Sequence, residues 1–189
     1  MEYETRKYKG YTIKIELVDY PPNPREEWEN LGHMVCWHRR YDLGDKHNFD
    51  SPEDFQEYIK NNKCVVLPLF LYDHSGITMS TRSFSCPWDS GQVGYIYLTY
   101  EEIRKEMDKL NLTKKDIERA KALLESEVKI YDSYLRGEVF GWVISNEIED
   151  HINSCWGYYG TGEIEHMVSE AKNAIDYDIA KIYCKEVLS

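Results

Sequence analysis

The residue types that could do chemistry lie closest together in the segment 86–92. There the carboxylate of Asp89 and the hydroxyl of Ser90 precede an apolar run that predicts a buried strand. The Ser90 hydroxyl or the Cys86 thiol becomes a nucleophile when an imidazole takes its proton, and His38 or His74 would have to supply that base from elsewhere in the chain. The segment therefore allows a hydrolase or transferase site around Asp89. The sequence favours ordinary turn chemistry, in which the carboxylate bonds to nearby backbone.

A second reactive side chain, Cys155, lies in the segment 154–160, which is rich in glycine and aromatic residues. Its thiol could be an exposed nucleophile, but no neighbour in the sequence favours the thiolate. Trp156 and Tyr158 give large contact areas at a low entropic cost, which is typical of protein-binding surfaces. We therefore interpret this segment as a loop that contacts another protein.

The cysteine and histidine spacing indicates neither a metal centre nor a cofactor. Cys36 and His38 would share one face of a strand, but a zinc site needs about four ligands and the sequence specifies no others there. Cys64 and Cys184 lie on apolar stripes, as buried cysteines do. HExxH pairs, CxxC pairs and phosphate-binding glycine loops do not occur. We expect no metal and no cofactor, and whether Cys36 and His38 meet a third ligand stays open.

Apolar patterns predict the strands that would position these side chains. They cover residues 11–17, 64–72, 77–80, 93–98 and 139–144, and residues 33–38 could form one more. Pro68 cannot donate to a ladder, so the strand that contains it must have a bulge or an edge position there. Helices are predicted at 51–62, 99–110, 113–137 and 164–182, and the last could be broken near Asp176.

The mixed order of these elements predicts an α+β fold. We expect a largely antiparallel sheet of about five strands, with three to four helices packed on one side. The length of 189 residues suits a single domain over 1–189, in which residues 162–189 could form a small helical subdomain at the C-terminal end.

The charge balance limits the classes of partner. The chain has 23 Lys and Arg against 34 Asp and Glu, a net charge of −11. Because nucleic-acid binders neutralise phosphates with a basic face, this balance argues against direct nucleic-acid binding. The sequence has no apolar run of membrane-spanning length, and its acidic start is unlike a secretory signal. We expect a cytoplasmic protein that does not enter membranes.

The acidic excess is concentrated between Arg136 and Lys172, where no Lys or Arg occurs. Seven carboxylates lie there: Glu138, Glu147, Glu149, Asp150, Glu163, Glu165 and Glu170. Such a surface attracts a basic partner and speeds association. It could also be a solvated face that only keeps the protein soluble.

Five strings of residues resemble, in order, a family of small proteins carried by phages, plasmids and genomes of low-GC Gram-positive bacteria. The strings are NPREEWENLGHMVCWHRRYDLGD at 23–45, LPLFLYDHSGITMS at 67–80, CPWDSGQVGYIY at 86–97, YDSYLRGEVFG at 131–141 and SCWGYYG at 154–160. The chain is similar, less closely, to type II anti-CRISPR proteins. That resemblance implies an inhibitor that binds a CRISPR effector nuclease and blocks DNA engagement or cleavage. It brings no catalytic residues with it.

These observations predict a mobile-element-encoded, non-enzymatic inhibitor that binds a host defence protein and competes with nucleic acid through its acidic surface. The predicted partner-binding residues are Glu138, Glu147, Glu149, Asp150, Glu163, Glu165, Trp88, Asp89, Trp156 and Tyr158. The alternative is a small cytosolic hydrolase or transferase built on Asp89, Ser90, His74, His38 or Cys155. A third hypothesis is a regulatory or assembly protein whose partner is its own oligomer.

Overall fold

The structure, a computed structural model, describes residues 1–148 and 150–187, with side chains up to residue 181. Within those ranges it contains eight strands and five α-helices, and the predicted α+β class is confirmed. The strands form two antiparallel sheets of four strands each, whereas the sequence predicted one sheet. The chain divides into two compact units, Met1–Pro21 with Gly137–Ser189, and Pro22–Arg136.

The predicted elements recur with shifted ends, together with three that the sequence did not predict. The strands are β1 (Glu2–Tyr8), β2 (Tyr11–Leu17), β3 (His33–Cys36), β4 (Cys64–Asp73), β5 (Ile77–Ser80), β6 (Ser90–Thr99), β7 (Val139–Ser145) and β8 (His151–Tyr159). The helices are α1 (Pro24–Glu27), α2 (Pro52–Asn61), α3 (Tyr100–Glu106), α4 (Lys114–Leu135) and α5 (Ile164–Val187), and a 3-10 turn covers Thr161–Glu163. The unpredicted elements are β1, α1 and β8, and α5 continues through Asp176 without a break.

The first unit packs α5 on one face of a sheet with the strand order β1-β2-β7-β8. Alternate residues of β2 and β7 face the helix, as the period of two requires. The buried core consists of Ile13, Ile15, Phe140, Trp142 and Ile144 from the sheet and Met167, Val168, Ala171 and Ile175 from the helix. Strand β7 is covered by neighbours on both edges, which fixes the position of β8 beside it.

Strand β1 was not predicted, because it lacks an alternating apolar pattern and is held to α5 by polar contacts. Arg6 donates to Glu165 in α5, and the hydroxyl of Tyr8 donates to Asp176, 3.2 Å away. The Lys9-Gly10 turn, with positive φ at both residues, returns the chain into β2. The strand is therefore held by its ladder to β2 and by one ion pair and one hydrogen bond to the helix.

The second unit has a sheet with the strand order β3-β6-β4-β5. Neighbouring residues of β6 face opposite sides, because Ile96 packs with Leu124 of α4 whereas Tyr97 packs on Phe55 of α2. Helices therefore lie on both faces of this sheet, whereas the sequence predicted them on one side. Pro68 pairs in register with Tyr95 of β6, and β5 covers the other edge of β4 only over Phe70–Asp73, so Pro68 has the predicted edge position. The register shift of this ladder skips Val93, which belongs to β6.

Candidate functional site

Strand β8 is an edge of its sheet and contains most of the segment that was predicted as a loop. It pairs antiparallel with β7, but the register skips Ile152 and Gly157, which form bulges. Gly157 has a φ of +94°, which its lack of a Cβ atom permits. The loop prediction was wrong because the ladder to β7 forms this strand without an alternating apolar pattern, since an edge strand can be exposed on both faces.

The indole of Trp156 lies against the backbone of Gly141 in β7. A Cβ atom at position 141 would come within 2.2 Å of the ring atom Cε3, so glycine is required for the ring to occupy this place. The side chain of Trp156 remains 48% exposed. A half-exposed indole with a fixed position is the kind of side chain that anchors protein interfaces.

Three exposed carboxylates lie near the two ends of β8 in the sequence, and among the described residues they form no ion pair: Glu147, Asp150 and Glu163. At the first end, the side-chain carbonyl of Asn146 accepts hydrogen bonds from the amides of Ile148 and Asp150, at 3.1 and 2.9 Å. These bonds shape the turn between β7 and β8. The carboxylates of this turn and of the 3-10 turn after β8 are therefore available to a partner.

The other carboxylates predicted to bind a partner differ from these three. Glu165 accepts two hydrogen bonds from the guanidinium of Arg6, at 2.6 and 3.1 Å, and this contact lowers the pKa of Glu165. The backbone carbonyl of Glu138 accepts from the amide of Gly160, 2.8 Å away. Glu149 lies outside the described residues. Arg6 of β1 thus neutralises one carboxylate of the acidic segment, which the segment's own sequence does not show.

Tyr158 points toward α5 and is half-buried. Its hydroxyl accepts a hydrogen bond from the indole of Trp142, 3.0 Å away, and donates one to Glu170. Burial, together with the contacts to Cys155 and Glu170, raises the pKa of Tyr158. Its polar contacts lie within the first unit, so Tyr158 supports the position of β8 on α5.

In the second unit, Trp88 and Asp89 lie in the loop before β6. Trp88 is 92% exposed. The carboxylate of Asp89 accepts a hydrogen bond from the thiol of Cys86 at 3.6 Å and lies 3.4 Å from Nδ1 of His74. The amide of Asp73 donates to the carbonyl of Asp89, 2.8 Å away. Asp89 thus holds the loop together and leaves Trp88 in solvent.

A cavity of about 420 Å³ beside this loop brings together several residues of the enzyme hypothesis. His38, Asp89 and Ser90 contribute to its wall. The hydroxyl of Ser90 donates to the carbonyl of Cys86, so its proton is directed to the backbone of its own loop. A serine nucleophile needs that proton directed to a base. The contact is the turn chemistry that the sequence favoured.

The candidate base His38 is likewise engaged in its own turn. Its Nδ1 accepts from the amides of Arg40 and Tyr41, at 3.3 and 3.2 Å, and its ring stacks on Tyr41. Cys155, the remaining candidate nucleophile, belongs to the first unit, where its thiol contacts the hydroxyl of Tyr158. Within either unit, the described residues of the enzyme hypothesis do not form a nucleophile and base pair.

The described cysteines are free thiols. Burial and the nearby charge of Asp45 raise the pKa of Cys36 to about 12. Burial also raises the pKa of Cys64. Among the described residues there is no group of three or more His, Cys, Asp or Glu side chains that could hold a metal ion. The side chain of Cys184 lies outside the described residues.

Two residues that shape the β8 region were missed at the level of sequence. Gly141 interrupts the apolar run VFGWV, and a glycine inside a strand indicates a close approach of another group. Asn146 follows β7 directly, where its side chain can organise a turn. Both residues are local sequence signals, and together they could have predicted that a turn and a further strand, β8, follow β7.

Comparison with protein-family models, curated proteins and solved structures finds no match to this chain. No helix among the described residues is long and apolar enough to cross a membrane. Function therefore has to follow from the geometry within each unit.

Proposed function

We propose that this chain is a non-enzymatic inhibitor, encoded by a mobile element, that binds a host defence protein in the cytoplasm of a bacterial cell. The observation that carries the proposal is the β8 surface, which we define as Trp156 with the carboxylates of Glu147, Asp150 and Glu163. An exposed indole with a fixed position and three carboxylates without ion-pair partners among the described residues support binding to a basic protein.

Electrostatics favours a nucleic-acid enzyme as the partner. Such enzymes bind phosphates with grooves rich in Lys and Arg, and a carboxylate surface can occupy the same groove. The net charge of −11 adds a long-range attraction to it. The resemblance to type II anti-CRISPR proteins supports a CRISPR effector nuclease as the target, with DNA engagement or cleavage as the step that is blocked.

The loop at 86–92 is a second proposed contact. Trp88 has almost no packing partners, since 92% of its surface is exposed, and an indole in this state gains apolar contact area on binding. Asp89 fixes the loop through Cys86 and His74. The enzyme alternative has less support, because the Ser90 hydroxyl donates to the backbone of its own loop and Nδ1 of His38 accepts from the backbone of its own turn.

A DNA-cleavage assay tests the proposal. Type II effector nucleases from low-GC Gram-positive bacteria, each loaded with guide RNA, are mixed with the chain and then with target DNA at low and at high salt. We expect cleavage by at least one nuclease to be blocked, with inhibition that weakens as salt is added because the charges are exposed. The triple variant Glu147→Lys, Asp150→Lys and Glu163→Lys should lose inhibition.

The matched control is the triple variant Glu29→Lys, Asp50→Lys and Glu57→Lys. These carboxylates are exposed, form no ion pair among the described residues and lie in the second unit. Both variants replace three carboxylates with three lysines, so they change the net charge by the same amount. The control should inhibit more strongly than the β8 variant. If the two triple variants inhibit equally, the β8 surface is not the binding surface. If the unmodified chain blocks none of the nucleases, the inhibitor proposal is wrong.

A further inference from the structure

Strand β8 has a free edge that is longer than the other three sheet edges. It has nine residues, whereas β1 has seven and β3 and β5 have four each. An edge strand presents a row of backbone donors and acceptors that a further strand can complete. Since β8 has β7 as its single neighbour in the sheet, its other edge is open to such a strand within the first unit.

The Ser154 amide identifies which backbone groups face this free edge. It donates to the side-chain carbonyl of Asn153, 2.8 Å away. Because β-strand residues direct their N–H and C=O alternately to opposite edges, the amide of Trp156 shares the edge of Ser154, and Asn153 and Cys155 bond toward β7. The side chain of Asn153 thus occupies one donor that a partner strand would need.

The composition of β8 lacks the side chains that usually protect an edge. The strand His151–Tyr159 contains no Lys, Arg or Pro, whereas β1 has Arg6 and Lys7. Its bulges at Ile152 and Gly157 leave a regular stretch of four residues, Asn153–Trp156, between them. The bulges therefore limit the length of an added strand, and that stretch remains competent to pair.

The charges near β8 indicate which kind of strand could pair with its free edge. Asp150 directly precedes the strand and Glu163 follows it by four residues. A second copy of this chain would bring a surface with the same excess of carboxylates to this edge, which is electrostatically unfavourable. An extended segment flanked by Lys or Arg would place opposite charges at both ends.

We propose that β8 binds an extended segment of its partner by strand addition along Asn153–Trp156, and that this segment is flanked by Lys or Arg. The inference rests on the proposed function, because it states how the β8 surface recognises a basic protein. Backbone hydrogen bonds supply a sequence-tolerant part of the affinity, and the flanking charges and the indole of Trp156 supply the specificity. The recognition would tolerate changes in the partner's central side chains better than loss of its flanking cations.

A pair of synthetic peptides tests the inference. The probe is Lys-Lys-Thr-Val-Thr-Val-Lys-Lys with blocked termini, and the matched control has the same sequence with its four central amides methylated on nitrogen. Methylation keeps the charge and removes the donors of both edges. We expect the control peptide to bind at least tenfold more weakly in a fluorescence anisotropy titration. Binding of the probe should also slow hydrogen exchange at the Ser154 and Trp156 amides.

The outcomes separate strand addition from the inhibitor proposal. If both peptides bind equally and the β8 charge variant loses both, the surface is electrostatic and strand addition is wrong. If neither peptide binds while the nuclease is still inhibited, strand addition is also wrong. If the unmethylated peptide binds as expected and no nuclease is inhibited, strand addition stands and the inhibitor proposal fails.

The variant Asn153→Ala adds a second readout, because freeing the Ser154 amide should tighten binding of the unmethylated peptide.

Discussion

Trp156 and Gly141 lie opposite each other in the ladder between β8 and β7, and the indole of one rests on the backbone of the other. A Cβ atom at 141 would meet two ring atoms, at 2.2 and 2.5 Å, and the carbonyl of Cys155 at 2.7 Å. The position of the exposed indole therefore depends on a residue of the neighbouring strand.

The variant Gly141→Ala should destabilise the chain and move the indole. Forced overpacking of this kind costs about 1 to 3 kcal/mol, because the ring and the β8 backbone must shift. Urea unfolding measures the loss, and the nuclease assay should show weaker inhibition. The control is Gly162→Ala, where a Cβ atom would meet nothing within 4 Å, so its stability should change by less than about 0.5 kcal/mol. Equal midpoints for the two variants would contradict the contact.

The sequence specified the elements that have local signals and missed those held by distant groups. Helix α4 was predictable because Thr113 and Asp116 form its capping box within four residues. Strand β1 was not, because its ion pair joins Arg6 to Glu165, 159 residues away. Because Arg6 is so distant in the sequence, the sequence of the acidic segment does not show that Glu165 is already neutralised. Trp156 could be predicted as a candidate contact residue from its sequence, but its support by Gly141 needs the strand register.

Arg25 is a buried charge of the second unit that bonds to residues distant from it in the sequence. Its side chain is 2% exposed and donates to Asp45, Glu127 and the carbonyl of Gly32, at 2.6 to 2.8 Å. Glu127 also accepts from the amide of Leu31, 3.1 Å away. The network joins the segment before β3 to helix α4.

The variant Arg25→Met should be strongly destabilised, by about 3 to 5 kcal/mol, because it leaves two partly buried carboxylates unpaired. Chemical denaturation followed by circular dichroism provides the measurement. Arg39→Met removes the same charge at an exposed position and should be nearly neutral. Adding Glu127→Gln to Arg25→Met should recover part of the loss, since one unpaired charge is removed. A double variant that is less stable than Arg25→Met would argue against the network.

Asp116 should contribute to the loss of stability in acid. Its carboxylate accepts from the ammonium of Lys109 at 2.6 Å and from the amide and hydroxyl of Thr113, and these contacts lower its pKa. A carboxylate with a lowered folded pKa stabilises the fold above its unfolded value of about 4, and that stabilisation disappears as the pH falls through the folded value. The variant Asp116→Asn should therefore be less stable than the unmodified chain at pH 7, and the gap should close toward pH 2. Urea midpoints at several pH values measure this.

The control for this titration is Glu118→Gln, two residues further along α4. Glu118 is exposed and pairs with Lys121 alone among the described residues. Its removal should leave both the stability and its pH dependence close to those of the unmodified chain. A gap for Asp116→Asn that stays constant from pH 7 to pH 2 would exclude the carboxylate as its source.

The variants Ser90→Ala and His74→Ala distinguish binding from catalysis. The Ser90 hydroxyl bonds to the Cys86 carbonyl and Nδ1 of His74 lies 3.4 Å from the carboxylate of Asp89, so these contacts do not pair the two side chains as nucleophile and base. We expect Ser90→Ala to inhibit the nuclease within about twofold of the unmodified chain, and His74→Ala to weaken inhibition by less than about tenfold, because its contact with Asp89 supports the 86–92 loop. A loss of a hundredfold or more from Ser90→Ala alone, with unchanged stability, would instead support the enzyme hypothesis.

Trp88 offers a test in which stability and binding separate. With 92% of its surface exposed, the indole contributes little to the packing of its unit, so Trp88→Ala should leave the urea midpoint unchanged. If the loop contacts the partner, removal of the indole should raise the concentration needed for inhibition about tenfold, which corresponds to about 1.4 kcal/mol of binding free energy. Leu110→Ala is the matched control, since this side chain is 91% exposed and lies outside both proposed contacts. Equal inhibition by the two variants would remove the 86–92 loop from the interface and leave β8 as the proposed contact.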